Sequence, residues 1–348
     1  MDGVQLRSRM TGMEGQKSGQ TEGARKGISG STVKIVAVIS MLIDHTAAAV
    51  LTRQIMANGY LNAVTGTESQ LIAWLTENMV LFYGMQIMRL IGRLGFPIFC
   101  FLLVEGFQRT RDVRKYALRL GIFALISEIP FDLAVTGNSF HLGYQNVYFT
   151  LLLGLLGMWG YAFFDRCEKE ENELAGPLRI FLTVTGVLAP AAFVIVFMVQ
   201  PSGNGTGEQM MLTVGILCAV TVLALVLYGS KKGFRRVQTV CADITVMTAM
   251  MFLAEYLRTD YGGMGVLTIT AMYLFRKHRV AAMLAGCVVL TFLTVSEIPG
   301  FLAVIPIALY NGKRGLKMKY FFYAFYPAHL LILYVISVLL GLGSIVLL

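Results

Sequence analysis

Ionisable side chains stand inside stretches of this 348-residue chain that are otherwise apolar: Asp44 and His45, Arg89 and Arg93, Glu128 and Asp132, and His329. A charge in hydrocarbon is costly, so each is by default a functional candidate facing a bundle interior or a watery cavity. Their chemistry is that of proton transfer and anion binding, with imidazole as base, carboxylate as orienter and guanidinium as partner for negative charge. Adjacent Asp44 and His45 point about 100° apart on a helix, which makes Asp44 a poor orienter for His45. A carboxylate from another helix serves better, and Glu128 and Asp132, four apart, share one face. Pro130 between them loosens the helical ladder and frees a carbonyl. Arg89 and Arg93 are also four apart and repel unless something negative sits between them. Asp132 or Asp44 is one such partner; a bound anion, a donor's phosphates or an acceptor's carboxylate, is the other. Taken alone, His45 reads equally well as a packing histidine bonded to a neighbouring helix.

Further groups flank these. Asp260 and Tyr261 precede Gly262, Gly263 and Gly265 in a turn that either positions a substrate or simply reverses the chain. Gln145 and Asn146, with His141, fall at the outer mouth of a span, and His329 follows Pro327 in the last span, where a kink turns its ring inward. The run Arg109, Arg111, Arg114, Lys115 and Arg119 suits a polyphosphate such as that of CoA, or serves only as a topology signal.

The elements that hold these residues are membrane spans. The chain is 56% hydrophobic and 14% charged, too little polar surface to coat a water-soluble globule of this length. Apolar runs recur at 33–52, 85–107, 116–134, 145–164, 180–199, 211–229, 237–256, 264–276, 280–296, 300–311 and 320–342. Most reach the roughly 20 residues that cross a hydrocarbon core; 264–276 and 300–311 are short. The fold expected is an all-α polytopic transmembrane bundle of 10–11 spans. With the N-terminus cytoplasmic, only Arg53 and Arg258 fall in outward loops, and Arg89 and Arg93 lie within a span. The net charge of +9 is this bias, and a nucleic-acid partner is not expected. Counted at about 1.5 Å per residue from the cytoplasmic side, His45 and Glu128 lie roughly 18 Å deep, Arg93 roughly 21 Å and His329 roughly 14 Å. Four helices thus bring polar groups to one level.

Residues 1–32 read as a disordered cytoplasmic tail and 33–348 as a single transmembrane domain, the first span being an uncleaved anchor. The segment from Gln70 to Tyr83 suits an amphipathic helix on the outer face, a lid candidate. Ser-Glu-Ile-Pro occurs at 127–130 and 296–299 and reads as coincidence or a shared helix-ending device. The five cysteines include no CxxC pair, which argues against a metal site or a disulfide scaffold.

Six segments in order resemble the TraX family: Ile39 to His45, Arg89 to Phe99 with Glu105-Gly106, Ser127 to Asp132, Gln145 to Phe149, Asp260 to Gly265, and Tyr310 to Arg314 through Tyr326 to His329. The resemblance implies a membrane acetyltransferase, since the namesake acetylates the amino terminus of a pilin subunit, and it extends to the multispanning acyltransferase-three enzymes. It implies acetyl-CoA as co-substrate, an acceptor amine or hydroxyl reached through the membrane, and residence in the plasma membrane. By position it assigns a histidine late in span one, His45, and the basic run as the grip on CoA. His45 is then the base, Glu128 the holder of its tautomer, and Arg93 or Tyr261 the partner of the oxyanion. A proton-coupled transporter is the alternative, because buried carboxylates and histidines at mid-depth are its hallmark too. A non-catalytic assembly factor is the third.

Overall fold

In lipid a run of about twenty apolar residues must satisfy its own backbone, which leaves the helix as its solution. The computed structural model describes residues 27–138, 141–170, 176–198, 207–316 and 319–346, and among these the regular structure is helical. α1 (Gly30–Thr46) passes through a π-helical stretch (Ala47–Leu51) into α2 (Thr52–Ala57). Two short helices follow, α3 (Tyr60–Thr65) and α4 (Glu68–Glu77), and then α5 (Met79–Gly92) and α6 (Gly95–Arg109). α7 (Val113–Val135), α8 (Val147–Lys169), α9 (Gly176–Met198), α10 (Gly207–Lys232) and α11 (Phe234–Tyr256) are long. α12 (Gly262–Leu274) and α13 (Arg279–Leu293) are short; a 3-10 stretch (Val295–Ala303), α14 (Val304–Ala308) and α15 (Lys319–Leu339) complete the chain.

The described parts of the apolar runs are therefore helical, some in more than one piece, giving a multi-pass all-α bundle. Six described stretches are long and apolar enough to cross a membrane, while Gly262–Leu274, Arg279–Leu293 and Val295–Ala308 are apolar but shorter. At about 1.5 Å per residue the 13-residue α12 covers only about 20 Å. Its environment explains the length: α12 packs against α6, α8, α11 and α13, so protein rather than lipid surrounds it. Ile269 and Met272 on it are fully buried, and Gly154 of α8 and Gly286 of α13 present bare backbone to them. The expected second span is longer than the apolar run at 85–107 and is interrupted: Met79–Arg109 breaks between Gly92 and Gly95. Pro97 has no N–H to donate to the Arg93 carbonyl four residues back, and its ring crowds that oxygen.

Two expectations for residues 53–83 are corrected. Gln70 to Tyr83 is not one amphipathic helix, because the chain turns at Asn78 between α4 and α5. Trp74 is buried against Tyr60 and Phe82, and its indole N–H donates to the Asn58 carbonyl at 2.7 Å, fastening α4 to the end of α2. Arg53 does not sit in an outward loop. It is fully buried in α2 and donates to four carbonyls, Ala49 and Ala134 at 2.6 Å, Leu133 at 3.0 Å and Ile345 at 3.1 Å. Its guanidinium thereby caps the C-terminal end of α7, where unpaired carbonyls gather negative potential.

Candidate functional site

The helix break beside α1 builds the first half of the site. Ser40 donates to the Ile91 carbonyl near the break, and Asp44, one turn further along α1, lies against the bare backbone of Gly92. A side chain at 92 would overlap Asp44, so Gly92→Ala is expected to cost about 1–3 kcal/mol as an overpacked contact, read as a lower unfolding midpoint in detergent. Asp44 in turn accepts from Arg89 at 2.6 Å. Arg93 sits at the break and turns elsewhere, pairing with Glu297 at 2.8 Å. The reading of an arginine paired with Asp44 holds for Arg89, and the expectation of two arginines sharing one anion fails because a second carboxylate, Glu297, takes Arg93. Arg93 also reaches the hydroxyl of Tyr261, whose ring stacks on Phe96 with centroids 3.7 Å apart. Tyr261 has a left-handed backbone, φ 64°, at the start of α12.

The second half is a histidine pair. His45 Nδ1 lies 2.7 Å from His329 Nε2, and His329 Nδ1 lies 2.7 Å from the Phe325 carbonyl. A carbonyl only accepts, so His329 Nδ1 carries hydrogen; neutral His329 then offers a lone pair at Nε2, and His45 Nδ1 donates to it. Neutral His45 is left with its lone pair on Nε2, which is the form a base requires. His329 does the work expected of Glu128. That expectation is corrected because Glu128 lies on another face: it accepts from the Asn146 side chain, which also donates to the Ala124 carbonyl at 2.8 Å. Asp132 accepts from the backbone N–H of His141 at 2.7 Å. Pro327 cannot donate to the Tyr323 carbonyl four residues back, and the Tyr148 hydroxyl donates there instead at 3.5 Å. Tyr326 sets its ring edge-on to His45, centroids 5.8 Å apart, and to Tyr148 at 4.9 Å.

The turn at 258–261 closes the group. Gln145 and Asp260 are joined through backbone, Asp260 N–H donating to the Gln145 carbonyl at 2.8 Å, and Tyr144 donates to the Asp260 carboxylate at 2.6 Å. Asp260 feels the charges of Asp44, Arg89 and Arg93. The Gln145 side chain turns away and donates to the Leu142 carbonyl at 3.0 Å. Among the described residues no group of His, Cys, Asp and Glu is arranged to hold a metal ion.

Cavities open at opposite ends of the bundle. One of about 450 Å³ lies at the end of the basic loops and is lined by Lys34, Arg109, Arg119, Arg314, Tyr148 and Tyr323. Another of about 480 Å³ lies at the far end, lined by Thr52, Arg89, His141 and Tyr144, with no residue from α3 or α4, so the lid reading finds no support. The basic run splits. Arg109 and Arg119 line the first cavity, while Arg111, Arg114 and Lys115 do not. Lys115 faces Asp112, the N-cap of α7, whose carboxyl the Lys115 backbone N–H holds below its ordinary value. Arg109 pairs with Glu105, whereas Arg119 has a buried Nε with no hydrogen-bond partner among the described residues.

Sequence reasoning missed Glu297 and the hydroxyls of Tyr144, Tyr148 and Tyr326. The repeated Ser-Glu-Ile-Pro was the available signal, since both copies bury their glutamate: Glu128 is 9% and Glu297 1% exposed.

Comparison with known proteins gives a matching result over most of the chain. Residues 29–162 and 176–337 match the family described as TraX protein. A relative named probable fimbrial assembly protein FimC, serogroup H1, from Dichelobacter nodosus is 26% identical over 312 residues, covering 86% of this chain and 92% of that protein. No solved structure matches.

Proposed function

The chain belongs to the TraX family, and from that premise we propose that it is an integral-membrane acetyltransferase. It takes acetyl from acetyl-CoA at the basic, cytoplasmic face and passes it to an amine or hydroxyl reached from the opposite face of the plasma membrane. The observation that carries this reading is the line of residues between the two cavities. From the basic end, Arg119, Tyr323 and Tyr148 lead along α15 and α8 to Tyr326 and the His45–His329 pair. At the far end Arg89, paired with Asp44 next to His45, faces the other cavity. The relative named for fimbrial assembly supports an acceptor of the pilus type, a subunit's amino terminus, with a surface glycan as the other class.

The chemistry asks for little beyond placement, because a thioester is already activated. Lys34, Arg119 and Arg314 hold the CoA phosphates, and its thioester arm reaches past Tyr148. His45 Nε2 takes the proton of the attacking amine or hydroxyl as the new bond to the acetyl carbon forms and the carbonyl electrons move onto oxygen. Collapse of that oxyanion re-forms the carbonyl and breaks the carbon–sulfur bond, and the proton held by His45 goes to the CoA thiolate. His329 keeps the imidazole in the required tautomer throughout.

Membranes carrying the chain, given acetyl-CoA labelled in the acetyl group, are expected to transfer label to a species identifiable by mass spectrometry, with release of one CoA thiol per acetyl. Cavities at both ends and a histidine pair also favour a proton-coupled transporter. Proton or solute flux without acetyl-CoA consumption would decide for that reading and against acetyl transfer.

A further inference from the structure

Tyr326 is a buried group beside the histidine pair whose chemistry the proposed mechanism leaves unused. It is 3% exposed, and its hydroxyl oxygen has no hydrogen-bond partner meeting ordinary geometry among the described residues. Burying a hydroxyl without a partner costs free energy, so such a group calls for an explanation. Its position is specific. Tyr323, Tyr326 and His329 follow one another at three-residue spacing on α15, about 4.5 Å of rise at each step. Tyr323 lines the basic-end cavity, Tyr326 stands one step deeper, and His329 holds His45 one step beyond. The Tyr326 ring sits edge-on to both imidazoles, 5.8 Å from His45 and 5.7 Å from His329.

The other hydroxyls nearby are committed. Tyr148 donates to the Tyr323 carbonyl at 3.5 Å and Tyr144 to Asp260 at 2.6 Å. Tyr261 lies against Arg93 and stacks on Phe96, tied to the Arg93–Glu297 pair.

We infer that Tyr326 is a catalytic residue, its hydroxyl donating to the acetyl carbonyl oxygen as that oxygen becomes an oxyanion beside His45. The inference rests on the acetyltransferase reading and replaces Arg93 and Tyr261 in the oxyanion role. The phenol stays neutral and transfers no proton: its hydrogen bond strengthens as the carbonyl electrons reach oxygen and relaxes as the thiolate leaves. A donor fixed in advance, in a site that excludes water, acts on the transition state more than on the bound thioester.

The test is Tyr326→Phe, which keeps the ring and removes the hydroxyl. In inverted membrane vesicles given labelled acetyl-CoA, kcat is expected to fall by roughly 10²–10³, the loss typical of one oxyanion donor, with the KM for acetyl-CoA nearly unchanged. Binding supplies a readout independent of turnover. Trifluoroacetonyl-CoA, whose hydrate resembles the tetrahedral oxyanion, is expected to lose affinity for the variant by a comparable factor, while CoA itself binds both proteins alike. Turnover nearly equal to wild type, in a preparation where His45→Ala is inactive, would overturn the assignment and leave the acetyltransferase reading standing. Early melting or lost CoA binding would overturn it too, because the hydroxyl would then be serving the packing of the bundle. A wild-type chain that transfers no acetyl would remove the reading itself and the inference with it.

Discussion

Replacing His45 with alanine is expected to lower acetyl transfer by roughly 10²–10⁴, the range a positioned general base contributes, while the chain still inserts and binds CoA. Three features of the site lead to that figure. The Phe325 carbonyl fixes the hydrogen of His329, His329 fixes that of His45, and the lone pair of neutral His45 is thereby directed to Nε2. The tautomer is set by bonds already in place, so no reorganisation is needed at the moment of reaction. The ring itself is not a pillar of the fold. Its neighbours Ala37 and Met41 on α1 and Ala49 in the π-helical stretch carry the packing of that segment in the main core, and His45→Ala removes a polar group from their edge. Turnover measured with labelled acetyl-CoA, alongside CoA affinity and melting temperature, separates the two roles. A His45→Ala chain that folds, binds CoA and turns over near the wild-type rate would exclude the imidazole from the chemistry.

Glu297→Leu is expected to produce the largest loss of stability, about 3–5 kcal/mol, because it leaves the half-buried Arg93 guanidinium without its counter-charge. The carboxylate is 1% exposed and the Arg93 side chain 20%, so water screens the pair weakly. The same physics gives a second expectation for the double variant. With Arg93→Met added to Glu297→Leu, apolar groups of similar size replace both charges, and most of the lost stability should return. Equilibrium unfolding in mixed detergent measures both, and equal losses in the single and double variants would show that the unpaired guanidinium is not the source of the loss. The pair joins the helix break to the 3-10 stretch after α13, so the single variant is also expected to loosen Tyr261, which Arg93 reaches.

The helices were legible because lipid demands long apolar runs and the described parts of those runs are helical, though 33–52, 85–107 and 300–311 each fall in more than one piece. Depth was legible too: counting residues along a span brought His45, Glu128, Arg93 and His329 to nearby levels, and the structure pairs His45 with His329. What could not be read was direction around each helix axis. Glu128 and His329 both stood near His45 in depth, yet only His329 faces it, while Asn146 takes Glu128. Helical spacing likewise put Arg89 and Arg93 on one face, but it carried no sign that a second carboxylate, Glu297, arrives from the 3-10 stretch to take Arg93. Glu297 escaped notice because it falls in the gap between the apolar runs 280–296 and 300–311, where the chain is a 3-10 stretch. Arg53 looked like a loop residue since its partners are backbone carbonyls, which leave no trace in residue type.

Sidedness tests the account most directly. Acetyl-CoA does not cross a bilayer, so sealed vesicles of either orientation, made from cells producing the chain, present it to one face at a time. Inside-out vesicles, which in the proposed orientation expose the loops of Arg109, Arg119 and Arg314, are expected to incorporate label from acetyl-CoA, and right-side-out vesicles are not. Labelling by right-side-out vesicles alone, or equal labelling by vesicles bearing the His45→Ala chain, would contradict it.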